Sequence, residues 1–170
     1  FQLQLLREHG LAGVCFVEPL FAARFGLDPL AEIVGLVLEA GHETQLHLHT
    51  EWVDEARTPL LAGTAGKRQF LRQYSVVEQT TLIGAGRELL GKAGAPEPAA
   101  FRAGSFGFNR DTLDALRANG MPIDCSYNAT MFGLDSGVAP DAPLLDVTSF
   151  DGVLEIPMTV FDVAGRKPRH

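Results

Sequence analysis

The sequence predicts an α/β protein built of parallel β–α units. Three observations carry that reading. Apolar runs of strand length alternate with segments of helical periodicity. Gly, Pro or Asn punctuates most of the junctions between them. The length, 170 residues, suits one domain with a sizeable core. The resulting order, α-β-α-β-α-β-α-β and a last strand, fits an open doubly wound sheet or most of a (β/α) barrel. In either case function gathers at the C-terminal ends of the strands.

The elements follow in order. Residues 1–9 carry Leu3, Leu5 and Leu6 at helical spacing, and Gly10 stops the helix. "AGVCFVEP" (12–19) is rich in Val and Phe and closes on Pro19, a buried strand. Asp28 and Pro29 predict a helix start, with Asp28 as N-cap and Pro29 at the first helical position. That helix stops at Gly41, and "HETQLHLH" (42–49) alternates as the next strand. A long polar, glycine-bearing loop precedes a helix over roughly 76–92. "AAFRAGS" (99–105) is a strand, and Asn109 caps the helix "RDTLDALRANG". "MPIDCSYN" and "VLEIPMTV" (153–160) complete a set of five strands. "GAGREL" (84–89) is glycine-rich but lies mid-helix with no strand before it, so it does not read as a phosphate loop.

Composition narrows the function classes. The chain is 46% apolar and 21% charged, which is ordinary for a globular domain. A net charge of −7 argues against nucleic acid or an anionic membrane as the main partner. No window approaches the ~18 unbroken apolar residues of a membrane span. Cys15 and Cys125 read as buried free thiols, and no C-x-x-C motif offers a thiolate zinc site. The chain opens on Phe1 inside an apparent helix and ends in "GRKPRH", so both ends read as cut. Cytoplasmic and secreted or periplasmic locations both stay open, as does the oligomeric state.

The chemistry concentrates in "GHETQLHLHTEW" (41–52), which holds three of the five histidines. Strand alternation puts Gln45, His47 and His49 on one face and Leu46 and Leu48 on the other. Two imidazoles and the nearby carboxylate of Glu51 are good donors for a divalent metal, zinc first. His42 belongs to the preceding turn and reads as a structural or supporting residue. "LHLHT" is also similar to the opening motif of the PHP phosphoesterases. That family needs further His and Asp ligands on later strands, and only His170 follows His49.

A wider resemblance covers most of the chain. "LLREHGLAGVCFVEP", "VLEAGHETQLHLHTEW" and "AFRAGSFGFNRDTLDALRANGMPIDCSYN" resemble successive stretches of the polysaccharide deacetylases, the NodB-homology group of carbohydrate esterase family four. The second stretch matches their G-H-E…H…H pattern, with Glu51 where the second metal histidine is expected. The third matches F-R-x-P-x-G…D-S, with Gly104 where the proline is expected. The resemblance implies an incomplete, distorted (β/α) barrel of the polysaccharide deacetylase type. It implies metal-assisted removal of N- or O-acetyl groups from a carbohydrate. By resemblance, His47 leads the metal ligands, with His49 and Glu51 as candidates for the next. Arg102 would tether a catalytic aspartate, and the Ser105 backbone N–H would help hold the oxyanion. Trp52, Gly104 and Phe106 are candidates for contact with the sugar. The paired aspartates and the acid histidine of that family lie outside the matched stretches. A catalytically inactive sugar-binding domain of the same fold is therefore the alternative from another class.

Overall fold

A computed structural model describes residues 2–63 and 66–161. The five helices are α1 (Gln2–Glu8), α2 (Ala22–Phe25), α3 (Asp28–Glu39), α4 (Val76–Lys92) and α5 (Arg110–Ala118). The strands are β1 (Val14–Val17), β2 (Glu43–Leu48), β3 (Ala100–Ala103), β4 (Ile123–Asp124), β5 (Thr148–Phe150) and β6 (Val153–Glu155). They form one open sheet in the order β1-β2-β3-β4-β6-β5. Every neighbouring pair is parallel except β5 with β6. The α/β class and the parallel β–α units are thus as predicted, and the sheet is not a closed barrel.

Several boundaries differ from expectation, each for a local reason. Leu27 is the N-cap of α3, so Asp28 lies inside the first turn with Pro29 one position beyond it. An acid there still complements the helix dipole. The predicted strand over 121–128 shrinks to Ile123–Asp124, and that over 153–160 to Val153–Glu155. Pro157 has no N–H to donate, which ends regular pairing. Isolated bonds continue past it, from Met158 N–H to the Tyr127 carbonyl at 2.8 Å. The sixth strand, β5, had no sequence signal beyond a short Thr-Ser-Phe run. The long loop after His49 contains two 3₁₀ turns, Thr50–Glu55 and Leu71–Gln73.

The strand order runs monotonically from β1 to β4, and Val34, Leu82, Leu90 and Leu116 of the intervening helices share one core with Leu46 and Phe101 on one side of the sheet. Val17, Leu46, Phe101, Asp124 and Glu155 are successive partners across five strands and share that side. Leu46, Leu48, Phe101 and Ala103 are buried there in the main core. Each large apolar side chain so buried contributes about 1.5–3 kcal/mol. Gly86, the second glycine of "GAGREL", explains that motif. A Cβ on it would lie 2.8 Å from the Leu48 side chain and 3.0 Å from that of Leu46. The glycine lets α4 press onto β2, a packing role and not a phosphate-binding one. Asn109 caps α5 as expected, accepting the Thr112 N–H at 3.2 Å.

The opposite side of the sheet carries Phe16, Gln45, His47 and Arg102. Gln45 is spent on architecture. Its Oε1 accepts the N–H groups of Ala99 and Ala100 at 2.9 and 2.7 Å, locking the start of β3 to β2. His42 is likewise structural. Its Nδ1 accepts the Gly13 N–H at 3.1 Å, and its Nε2–H donates to the Leu3 carbonyl at 3.0 Å. That pair of bonds ties α1, which buries none of its own residues, to the start of β1. Cys15 and Cys125 are free thiols as predicted, but only Cys125 is buried; Cys15 is half-buried, against expectation.

Candidate active site

The C-terminal ends of β1, β2 and β3 converge on the histidine segment. Strand β2 ends at Leu48, and His49 stays extended (φ −101°, ψ 103°) before the chain tightens into the 3₁₀ turn at Thr50. His47 and His49 therefore keep to one side, and their rings meet edge to face at 4.8 Å between centroids. The turn brings Glu51 back, so that its Oε2 lies 3.3 Å from His49 Nδ1. The three predicted ligands are thus neighbours.

His47 is the best defined of them. It lies opposite Arg102 in the register, and its Nδ1 sits 2.7 Å from the Arg102 carbonyl. A carbonyl can only accept, so Nδ1 carries the proton and Nε2 keeps a bare lone pair. Burial, chiefly, holds the His47 pKa below its usual value, with lesser help from the charges of His49 and Arg102. The ring is neutral near pH 7. A neutral imidazole with one N–H fixed on a carbonyl is the arrangement found behind metal-ligating histidines. Glu51 adds a second sign, because its Oε2 is buried without a hydrogen-bond partner among the described residues. The donor chemistry therefore fits a divalent metal. The set is nevertheless open: among the described residues, no three His, Cys, Asp or Glu side chains converge so as to hold an ion.

Strand β1 supplies a residue that the sequence reading passed over. Glu18 follows β1 directly, and its carboxylate accepts the N–H groups of Leu20 at 2.8 Å and Phe21 at 3.2 Å. Burial raises its pKa to about 7, despite those amides and a favourable interaction with the His49 backbone. Its place at a strand end was the available signal.

Strand β3 places Arg102, Gly104, Ser105 and Phe106. Arg102 Nε donates to the Cys125 carbonyl at 3.1 Å, and the guanidinium lies 4.2 Å from the Phe16 ring centroid. It forms no salt bridge within the described residues. Ser105 and Phe106 both have left-handed backbone, φ 52° and 55°. Two consecutive non-glycine residues in that region store strain where function was expected. Gly104 packs against β2. A Cβ there would fall 2.6 Å from the Leu48 carbonyl oxygen and 3.0 Å from His49 Nδ1. Its smallness serves the seating of His49. Trp52 leans into an aromatic cluster, 6.5 Å from Phe21 and 5.7 Å from Phe25, both edge to face. His170 lies outside the described residues.

Below this rim, Asp124 and Ser126 hold the wall together. Ser126 Oγ accepts the Ala103 N–H at 2.9 Å and donates to Asp124 Oδ1 at 2.5 Å. Asp124 faces Glu155, and both carboxyl groups are fully buried. Burial raises both pKa values, and for Glu155 the charge of Asp124 raises it further. Two carboxyl groups so buried and so close favour keeping one proton between them at neutral pH.

No protein-family model matches the chain, and no curated protein matches its sequence. Solved structures do. A protein assigned as a polysaccharide deacetylase from Mycobacterium smegmatis superposes with a TM-score of 0.59 over 92% of this chain, at 21% identity. A family 4 carbohydrate esterase from Streptomyces lividans, solved with acetate, superposes with a TM-score of 0.55 over the same share, at 17% identity. The fold is that of the polysaccharide deacetylases. The chain spans 44% of the first of these neighbours and 69% of the second. The described residues thus make up a partial polysaccharide deacetylase fold, with an open sheet in place of a closed wall.

Proposed function

We propose that this chain carries part of the site of a metal-dependent hydrolase that removes N- or O-acetyl groups from a carbohydrate. The observation that carries the reading is His47, neutral and with Nδ1–H fixed on the Arg102 carbonyl, at the strand end where the deacetylase fold keeps its chemistry. His47 Nε2 would be one metal ligand, with His49 and Glu51 as candidates for the next. A bound divalent metal, zinc first, would supply Lewis-acid polarisation of the acetyl carbonyl and acidify a water. The rest falls to the chain. Arg102, with no carboxylate of its own among the described residues, orients a catalytic carboxylate brought to the inner face. The Ser105 backbone N–H, in its strained turn, stabilises the oxyanion. Trp52, Gly104 and Phe106 border the space for the sugar.

Elemental analysis of the purified full-length protein is expected to find about one divalent metal per chain. His47→Ala is expected to remove it, along with release of acetate from acetylated oligosaccharides. Unchanged metal content in that variant would sink the assignment. The open donor set favours one second reading, an inactive sugar-binding domain. Sugar binding without metal or acetate release would establish it. The phosphoesterase reading gains no further ligand cluster among the described residues.

A further inference from the structure

One cation beside the site has no assigned task. Arg72 lies in the second 3₁₀ turn, Leu71–Gln73, and is only partly exposed. Its guanidinium carbon sits 5.2 Å from the Phe70 ring centroid and 4.8 Å from that of Phe132. The two rings are themselves 5.4 Å apart. The side chain donates no hydrogen bond and joins no ion pair among the described residues. Arg24, Arg68, Arg87 and Arg117 all have carboxylate partners, and Arg102 and Arg110 donate to backbone carbonyls. Arg7 and Arg57 are unpaired too, but they are exposed to water. Arg72 is the part-buried exception among the described residues.

Its position is held from three sides. The Arg72 N–H donates to the Gly107 carbonyl at 2.9 Å. The Phe70 ring lies so close to Gly107 that a Cβ there would fall 2.5 Å from it. Gly107 N–H in turn bonds the Gly104 carbonyl at 3.0 Å, and Gly104 seats the His49 ring. Phe132 reaches the cluster from a left-handed backbone, φ 60°. A phenyl side chain is held there at the expense of local strain. A guanidinium whose position is fixed by aromatic contacts keeps its N–H edges for a planar or tetrahedral oxyanion.

We infer that Arg72, held by Phe70 and Phe132 beside the Gly104–Gly107 turn, binds an oxyanion on an acidic sugar unit next to the acetylated one. The inference rests on the carbohydrate reading of the site and narrows it to anionic glycans.

The test compares binding of three probes to the full-length protein by calorimetry at fixed low salt. These are an acetylated hexuronate oligosaccharide, its carboxyl-reduced neutral form, and a phosphorylated form of that neutral oligosaccharide. An acidic probe is expected to bind roughly tenfold or more tighter than the neutral one. Whichever acidic probe wins names the anion. R72Q is expected to abolish the preference. R72K keeps a charge over the rings, so it preserves the fold, but it loses the fork and should retain only a few-fold preference. Equal affinity for acidic and neutral probes in the wild type would overturn the inference, as would a preference that survives R72Q in a protein with unchanged circular dichroism. Binding of none of the probes would overturn it together with the carbohydrate reading. Acetate release from the neutral and acidic probes at equal kcat/KM would leave the deacetylase reading standing and remove Arg72 from it.

Discussion

Glu155→Gln is expected to make the protein more stable than the wild type above neutral pH and to match it near pH 4. Asp124 and Glu155 are register partners with no exposure to water, and neither Asp124 Oδ2 nor Glu155 Oε2 has a hydrogen-bond partner among the described residues. Two buried carboxylates cannot both be charged without a large penalty, so the folded state retains a proton between them. Burial is the first cause of the raised pKa of Glu155, and the neighbouring charge of Asp124 the second. The nearby titratable groups are the Cys125 thiol, raised to about 11 chiefly by burial, and the Arg102 guanidinium.

The sign of the linkage follows. Unfolded, Glu155 would release its proton near pH 4.3. Folded, it keeps that proton to far higher pH. Across the interval the native state binds more protons than the unfolded one, so stability falls as pH rises. The slope reaches at most ~1.4 kcal/mol per pH unit for one such proton. A glutamine in place of Glu155 keeps a donor toward Asp124 and an acceptor for the Tyr127 N–H, now 3.0 Å from Glu155 Oε1. The amide has no proton to lose. Urea unfolding between pH 5 and 9 should show a variant whose advantage grows to on the order of 2–4 kcal/mol at the upper end. Parallel curves for the two proteins would refute the shared proton.

The second large effect is expected from Gly104→Ala. The new methyl would meet a backbone oxygen at 2.6 Å, and a backbone oxygen cannot swing away as a flexible side chain can. Either β2 and β3 part at their C-terminal ends or the His49 ring is displaced. Overpacking of this kind costs about 2–3 kcal/mol, or roughly 5–10 °C in Tm for a domain of this size. Gly35→Ala is the control, because nothing lies within 4 Å of its would-be Cβ in α3. Ala is the better helix former, so that variant should gain up to ~1 kcal/mol. Thermal unfolding of the pair should therefore move in opposite directions. Equal shifts would show that the close approach of Gly104 to β2 has no energetic weight.

Sequence patterning reached the wall of the fold more surely than its rim. The periodicity of 76–92 and the Asn109 cap gave α4 and α5 almost to the residue, because local hydrogen bonding and amphipathicity fix them. Histidine alternation put His47 and His49 on one side for the same reason. What stayed hidden depends on contacts between distant residues. Glu155 looked like one more residue of an apolar strand, and only the register with Asp124 turns it into half of an acid pair. Arg72 sits in a loop with no periodicity, and its partners Phe70 and Phe132 come from segments about sixty residues apart. The open donor set around His47 is a matter of angles and distances, which no spacing rule encodes.

The unbroken strand order from β1 to β4 has an evolutionary consequence. Each β–α step contributes its own rim segment: Glu18 from the first, His47 to Arg72 from the second, and Gly104 to Gly107 from the third. The wall beneath is keyed by Val17, Leu46, Phe101 and Asp124, which lie just outside those segments in sequence. The rim can therefore drift by lengthening or trading one segment at a time, while the wall's selection history stays separate. The stretch between Glu55 and Leu71, which separates the histidines from Arg72, is where such drift has the most room.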